Sequence, residues 1–199
     1  MPRIFFIILA AVLVVIAATA GRYMMLGGSD GGPSQAARVN IGGPFTLTDH
    51  TGKRVTEKDF QGQYMLVYFG YTFCPDVCPT SLSIMAEALD MLSEEELAKI
   101  TPVFVTVDPE RDTQEAMAAY VPHFHDKLVG LTGSVDEVKA AARAYKAYYA
   151  KVNVDDPDGN YLMDHSSITY LMGPDGQYVA HFNHGTEPDK MAARLKEIL

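Results

Sequence analysis

Two short apolar runs, Tyr64–Gly70 (YMLVYFG) and Thr101–Val107 (TPVFVTV), are rich in aromatic and β-branched residues. Such runs predict strands buried on both faces. Between them Leu82, Met85, Leu89 and Leu92 recur at helical spacing, which predicts a helix over Thr80–Leu92 opened by Pro79. Asp112 followed by Glu115 reads as the start of a helix over Thr113–Phe124, and Lys127–Thr132 as a further strand. Ser134-Val135-Asp136-Glu137 is a capping box for a helix running to about Tyr148. Phe45–Thr48 and Lys53–Val55 flank an Asp49-His50-Thr51-Gly52 turn, and Asp155–Asn160 (DDPDGN) is a second turn. Ser167–Met172 and Tyr178–Phe182 flank Gly173-Pro174-Asp175-Gly176 as a hairpin, and Thr186, Pro188 and Asp189 start a last helix. The order is a hairpin, then βαβαβα, then ββα, which implies an α/β sheet.

The N-terminus has a different pattern. Ile4–Ala20 is 17 apolar or small residues without a charge, at the lower limit for spanning a bilayer. Arg3 precedes it, so the positive-inside rule keeps the N-terminus in the cytoplasm and exports the rest. A cleaved signal peptide is the competing reading, since Ala18-Thr19-Ala20 fits a small-x-small cleavage pattern. We read residues 1–26 as an anchor in a bacterial inner membrane, 27–40 as a flexible Gly/Ser/Pro linker, and 41–199 as one domain facing the periplasm. The formal net charge is −9, and Arg3 and Arg22 are the only charged side chains before Met24. The remainder is therefore still more acidic, which argues against a nucleic-acid partner.

The chain has two cysteines, Cys74 and Cys78, four positions apart, so a disulfide-stapled fold is excluded. They stand in Gly70-Tyr71-Thr72-Phe73-Cys74-Pro75-Asp76-Val77-Cys78-Pro79, directly after the first buried strand and at a helix N-terminus. That is the thioredoxin-like arrangement. Helix N–H groups and the macrodipole favour a thiolate there, which serves either disulfide exchange or metal ligation. Two thiolates cannot complete a tetrahedral zinc site, but suit Cu(I), which accepts soft ligands and low coordination; a third ligand would also admit Cu(II).

Six histidines could supply it: His50, His123, His125, His165, His181 and His184. His50 lies in a turn and is expected to be solvent-exposed. His123 and His125 read as solvated surface. His181 and His184, at the end of the last strand, read as hydrogen-bonding or capping groups. His165 stands in Asp164-His165-Ser166-Ser167, entering a strand of the final hairpin. In a thioredoxin-like fold that entry faces the cysteine loop, and exchange enzymes usually place a proline there. Spacing alone leaves open whether His165 is a ligand or a hydrogen-bonded histidine. Asp164 either orients His165 or faces solvent, and Met163 is expected to pack in the core.

GYTFCPDVCP, VDPERDT (Val107–Thr113) and YLMDHSSITYLMGPDG (Tyr161–Gly176), in that order, resemble the SCO/SenC family over roughly Ile41–Leu199. The resemblance implies a thioredoxin-like fold, here with an N-terminal β-hairpin extension. It implies copper held by Cys74, Cys78 and His165, and delivery to the CuA centre of cytochrome c oxidase subunit II. Another periplasmic copper chaperone would be the donor. It equally admits a thiol–disulfide reductase in which Cys74 and Cys78 are redox-active and keep the oxidase cysteines reduced. A copper or redox sensor stays open. A peroxiredoxin-like peroxidase lacks its upstream threonine and proline set.

Overall fold

The computed structural model describes residues 13–19, 21–22, 40–152 and 161–199. Two compact units are separable, Met1–Val39 and Asn40–Leu199. In the first, residues 13–19 and 21–22 are helical. No helix among the described residues is long and apolar enough to cross a membrane, and most of the expected anchor and linker lies outside them.

The second unit is built on a seven-stranded mixed sheet. Its strands are β1 (Thr46–Asp49), β2 (Arg54–Thr56), β3 (Tyr64–Gly70), β4 (Ile100–Thr106), β5 (Val129–Thr132), β8 (Ile168–Met172) and β9 (Tyr178–Asn183), in the order β2-β1-β5-β4-β3-β8-β9. A separate ribbon pairs β6 (Tyr149–Val152) with β7 (Leu162–His165). The helices are α1 (Val77–Asp90), α2 (Glu94–Leu97), α3 (Gln114–Tyr120), α4 (Val135–Tyr145) and α5 (Pro188–Ile198). β3 and β4 pair in parallel, β4 and β5 likewise, while β8 runs antiparallel to β3. This is the thioredoxin-like α/β order, with the β1–β2 hairpin added beyond β5.

The apolar runs become strands because both of their faces are covered. From Met65 to Gly70 every residue of β3 is buried, and β4 is buried except at Thr101. Helix α1 buries Leu82, Met85 and Leu89, three of the four positions that predicted it, and packs against α5. It begins three residues before the predicted Thr80, so Pro79 lies inside its first turn. There a missing N–H leaves no intrahelical bond unmade. Helix α3 is capped by Thr113, whose hydroxyl accepts from the Ala116 amide, and not by Asp112. It stops at Tyr120 before Pro122, and a 3-10 turn follows. The capping box of α4 forms as predicted, but the helix ends at Tyr145, with Lys146 in the left-handed conformation. The chain freed by that earlier ending becomes β6, an element absent from the predicted order. The predicted Asp155–Asn160 turn lies outside the described residues.

One packing constraint is steep. A Cβ added to Gly130 in β5 would lie 2.7 Å from Val121 Cγ1 and 3.0 Å from Met117 Cε. Gly130→Ala is expected to destabilise the domain by about 1–3 kcal/mol through overpacking. Urea unfolding would show this as a lower midpoint with an unchanged slope, and an unchanged midpoint would show that α3 yields freely.

Candidate metal centre

The sheet topology decides what meets at the end of β3. Thr169 of β8 pairs with Tyr68 of β3, so the entry to β8 lies beside the exit from β3. The cysteine loop leaves that exit and His165 sits just before that entry. His165 is the last residue of β7, paired with Tyr149. Ser166 then donates its amide to the Tyr148 carbonyl at 2.9 Å, closing the ribbon beneath the imidazole.

The ligand atoms of Cys74, Cys78 and His165 all lie within 4.8 Å of one another. Cys78 Sγ and His165 Nε2 are 3.2 Å apart, and His165 Nδ1 is 3.4 Å from the Ser166 carbonyl. Carbonyl contact at Nδ1 suits an imidazole that presents Nε2 as its lone-pair nitrogen. Two tyrosine rings hold the imidazole edge-on, Tyr68 at 6.0 Å and Tyr71 at 5.9 Å between centroids. Asp164 faces solvent and makes no hydrogen bond to His165, and Met163 is buried in the core.

The two thiols differ. Cys78 has no exposed surface, whereas Cys74 is half-buried; both are free. Helix α1 begins one residue before Cys78, and the Cys78 amide donates to Cys74 Sγ at 3.3 Å. The Cys74 sulfur thus occupies the place of a capping oxygen. The helix terminus was expected to favour thiolates at both cysteines. At Cys78 desolvation outweighs it, and burial pushes that thiol well above its ordinary value. Burial likewise holds the His165 imidazole below its ordinary value, so the ring stays neutral. Gly70 makes the close packing feasible, because a Cβ there would stand 2.8 Å from Cys78 Sγ.

The loop after β4 ties both segments down. Asp112, fully buried, accepts from the Thr72 amide at 3.0 Å, the Thr72 hydroxyl at 2.5 Å and the Thr106 hydroxyl at 2.6 Å. Asp108 pairs with Arg111 Nε and accepts from the Tyr161 hydroxyl at 2.8 Å. Arg111 Nη1 donates to the Tyr161 carbonyl at 3.0 Å, and its guanidinium lies 3.7 Å over the Tyr161 ring centroid and 4.8 Å over that of Phe73. The sequence marks Asp112 as a helix start and Val107–Thr113 as part of the family pattern, but assigns neither aspartate this anchoring role. Two carboxylates and an arginine crowded at the exit of a buried strand were the available signal.

The remaining histidines stand apart from the three ligand candidates. His50 is half-buried, correcting the expected exposure, and its Nδ1 accepts from the Gly130 amide at 3.2 Å. His123 is exposed, while His125 is half-buried and its Nδ1 accepts from the Lys127 amide at 3.0 Å. His181 contacts the Tyr178 hydroxyl at 2.5 Å and His184 the Ser81 hydroxyl at 3.2 Å, the hydrogen-bonding roles expected of them.

Residues 33–199 match the SCO1/SenC family model. The mitochondrial SCO1 homologue of Homo sapiens is 49% identical over 156 residues, covering 78% of this chain and 52% of that protein. The chain spans about half the length of the curated relatives that head the comparison. Among solved structures, Arabidopsis thaliana ScoI with copper bound superposes with TM-score 0.73 at 45% identity, covering 79% of this chain and 98% of that one. Bradyrhizobium japonicum ScoI with copper bound gives TM-score 0.73 at 45% identity, covering 80% and 99%.

Burial raises the Asp112 carboxyl above its ordinary value of 3.8, against the pull of its threonine donors. A carboxyl with a raised folded value holds its proton longer in the folded state. The folded state is therefore stabilised below 3.8 and loses that margin as pH rises through the raised value. Asp112→Asn is expected to remove this slope, and to cost roughly 1–3 kcal/mol by weakening the acceptor of the Thr72 and Thr106 donors. Urea unfolding of both proteins at intervals from about pH 3.5 to 7 measures it. Parallel stability curves would sink the assignment.

Proposed function

The chain belongs to the SCO1/SenC family, and we propose that its domain is a copper chaperone for cytochrome c oxidase assembly. In this reading the Cys74 and Cys78 thiolates and the His165 imidazole hold one copper ion in transit to the CuA centre of oxidase subunit II. The observation that carries it is the convergence of two sulfurs and one imidazole nitrogen, from segments far apart in sequence, within 4.8 Å. Zinc in a structural site would call for a fourth ligand, whereas Cu(I) is content with fewer.

Loading exchanges thiol protons for the metal ion, so uptake is coupled to proton release. His165 is already neutral and offers its lone pair without losing a proton. Cys78 and His165 form the inner side of the site. Half-buried Cys74 is the side an incoming acceptor thiolate can reach. Stepwise replacement starting at Cys74 would pass the ion on without freeing it into water. An N-terminal anchor over residues 1–26 and a linker over 27–40 would hold the domain in the periplasm near a membrane-bound client, raising its effective concentration. A second periplasmic copper protein would act as donor.

One observation favours a second reading, a thiol–disulfide reductase for the oxidase cysteines. Cys74 and Cys78 are both free and their loop brings Cys74 Sγ to the Cys78 amide, so the pair is close enough to act together. In that chemistry Cys74 would attack, since a buried, protonated Cys78 is a poor nucleophile. His165 separates the two readings, because copper binding needs it and thiol exchange does not.

The test is an anaerobic Cu(I) competition titration of the reduced full chain in detergent. One tight equivalent is expected, weakened by at least ~100-fold in His165→Ala and in Cys78→Ser, since even outer-sphere partners of metal ligands typically cost 10–100-fold. Affinity indifferent to His165 would overturn the chaperone reading in favour of the reductase.

A further inference from the structure

Tyr68 has no exposed surface, and among the described residues no group meets its hydroxyl in full hydrogen-bond geometry. A buried hydroxyl without a partner forfeits about 1–3 kcal/mol, so a native structure that keeps one calls for a reason. The ring is fixed by Phe104, stacked at 6.4 Å between centroids, and by the edge-on imidazole of His165. Its position relative to the sulfur follows from Gly70. A Cβ at that glycine would lie 2.8 Å from Cys78 Sγ and 3.0 Å from Tyr68 Cε1, so sulfur and ring edge meet over the same point of the backbone. Cys78, Ser81 and Ser167 stand within hydrogen-bonding reach of the hydroxyl, so the two serines compete with the sulfur for it.

A thiol sulfur is a weak acceptor, and a metal-bound thiolate is a much better one. We infer that Tyr68 is a positioning residue of the metal centre, whose hydroxyl donates a hydrogen bond to the Cys78 sulfur once that sulfur binds copper. The inference rests on the copper reading above and adds an outer-sphere residue to it. The hydrogen bond withdraws electron density from the sulfur, as such bonds do at other copper–thiolate and iron–sulfur centres. It would stabilise the loaded site. Tyr71 is also buried beside His165, but its hydroxyl is directed to the Met163 backbone and Cys74, whereas the Tyr68 ring edge and Cys78 Sγ meet over Gly70.

The test compares the wild-type full chain with Tyr68→Phe, which keeps the ring and removes only the hydroxyl. Cu(I) affinity is expected to fall roughly tenfold, the loss of one hydrogen bond to a charged group. In the Cu(II)-loaded protein the sulfur-to-copper charge-transfer band is expected at longer wavelength than in wild type, a change that packing alone would not produce. Affinity and band position both equal to wild type would overturn the inference while leaving the copper reading intact. Failure of the wild type to take up copper would overturn both. Should the variant not fold, Cu(I)-loaded wild type supplies the answer by proton NMR. A slowly exchanging hydroxyl resonance assigned to Tyr68 and appearing on loading supports the hydrogen bond, and its absence refutes it.

Discussion

Asp112 accepts three hydrogen bonds, two of them from Thr72 in the loop that leads to Cys74. Its own carbonyl accepts from the Thr132 hydroxyl of β5 at 2.6 Å. A carboxylate taken out of water is costly unless its lone pairs are filled, so these donors are not free to drift. The cysteine loop is thereby fixed to the ends of β4 and β5. Four residues earlier Asp108 does the same for the other half of the site. Through Arg111 and the Tyr161 hydroxyl it holds the strand that ends in His165. Cys78 and His165 are 87 residues apart in sequence, yet both are referenced to one five-residue loop. A metal centre built from two segments needs such a common frame, because an error of an ångström in either one dissolves the ligand set.

The strong hydrophobic periodicities carried most of the architecture. β3 has the bounds that the run Tyr64–Gly70 predicts, and the capping box of α4 forms at Ser134 as read. The ends of elements were less legible because tertiary bonds decide them. Asp112 has the right neighbours for a helix cap, but burial gives its side chain to Thr72 and Thr106, and Thr113 takes the cap. The most consequential miss is the β6–β7 ribbon. Ala144-Tyr145-Lys146-Ala147-Tyr148 continues a helical composition, and nothing local announces that Lys146 turns left-handed and releases a strand. Without that strand His165 looked like a loop residue, whereas it is the paired end of β7. The three ligand candidates themselves were legible because sulfur at that spacing is rare and a family pattern names the histidine. The tyrosines that wall the site were not, since Tyr68 and Tyr71 read equally well as core.

Burial sets the electrostatic character of the centre. Under the copper reading, two thiolates and a neutral imidazole carry two negative charges. Cu(I) leaves a net charge of minus one, and Cu(II) leaves none. Desolvation at Cys78 disfavours the net negative charge and so leans toward Cu(II), while two soft sulfurs and low coordination lean toward Cu(I). Arg111 gives Nε to Asp108 and Nη1 to the Tyr161 carbonyl, while its buried Nη2 has no hydrogen-bond partner among the described residues. In the proposed arrangement the Tyr68 hydroxyl would add a dipole that favours the negative state without adding a charge to the site. Under the copper reading these two preferences oppose each other. In the proposed role, accepting an ion from one partner and yielding it to another, such opposition would be useful, because a site specialised for one state would resist half of that task.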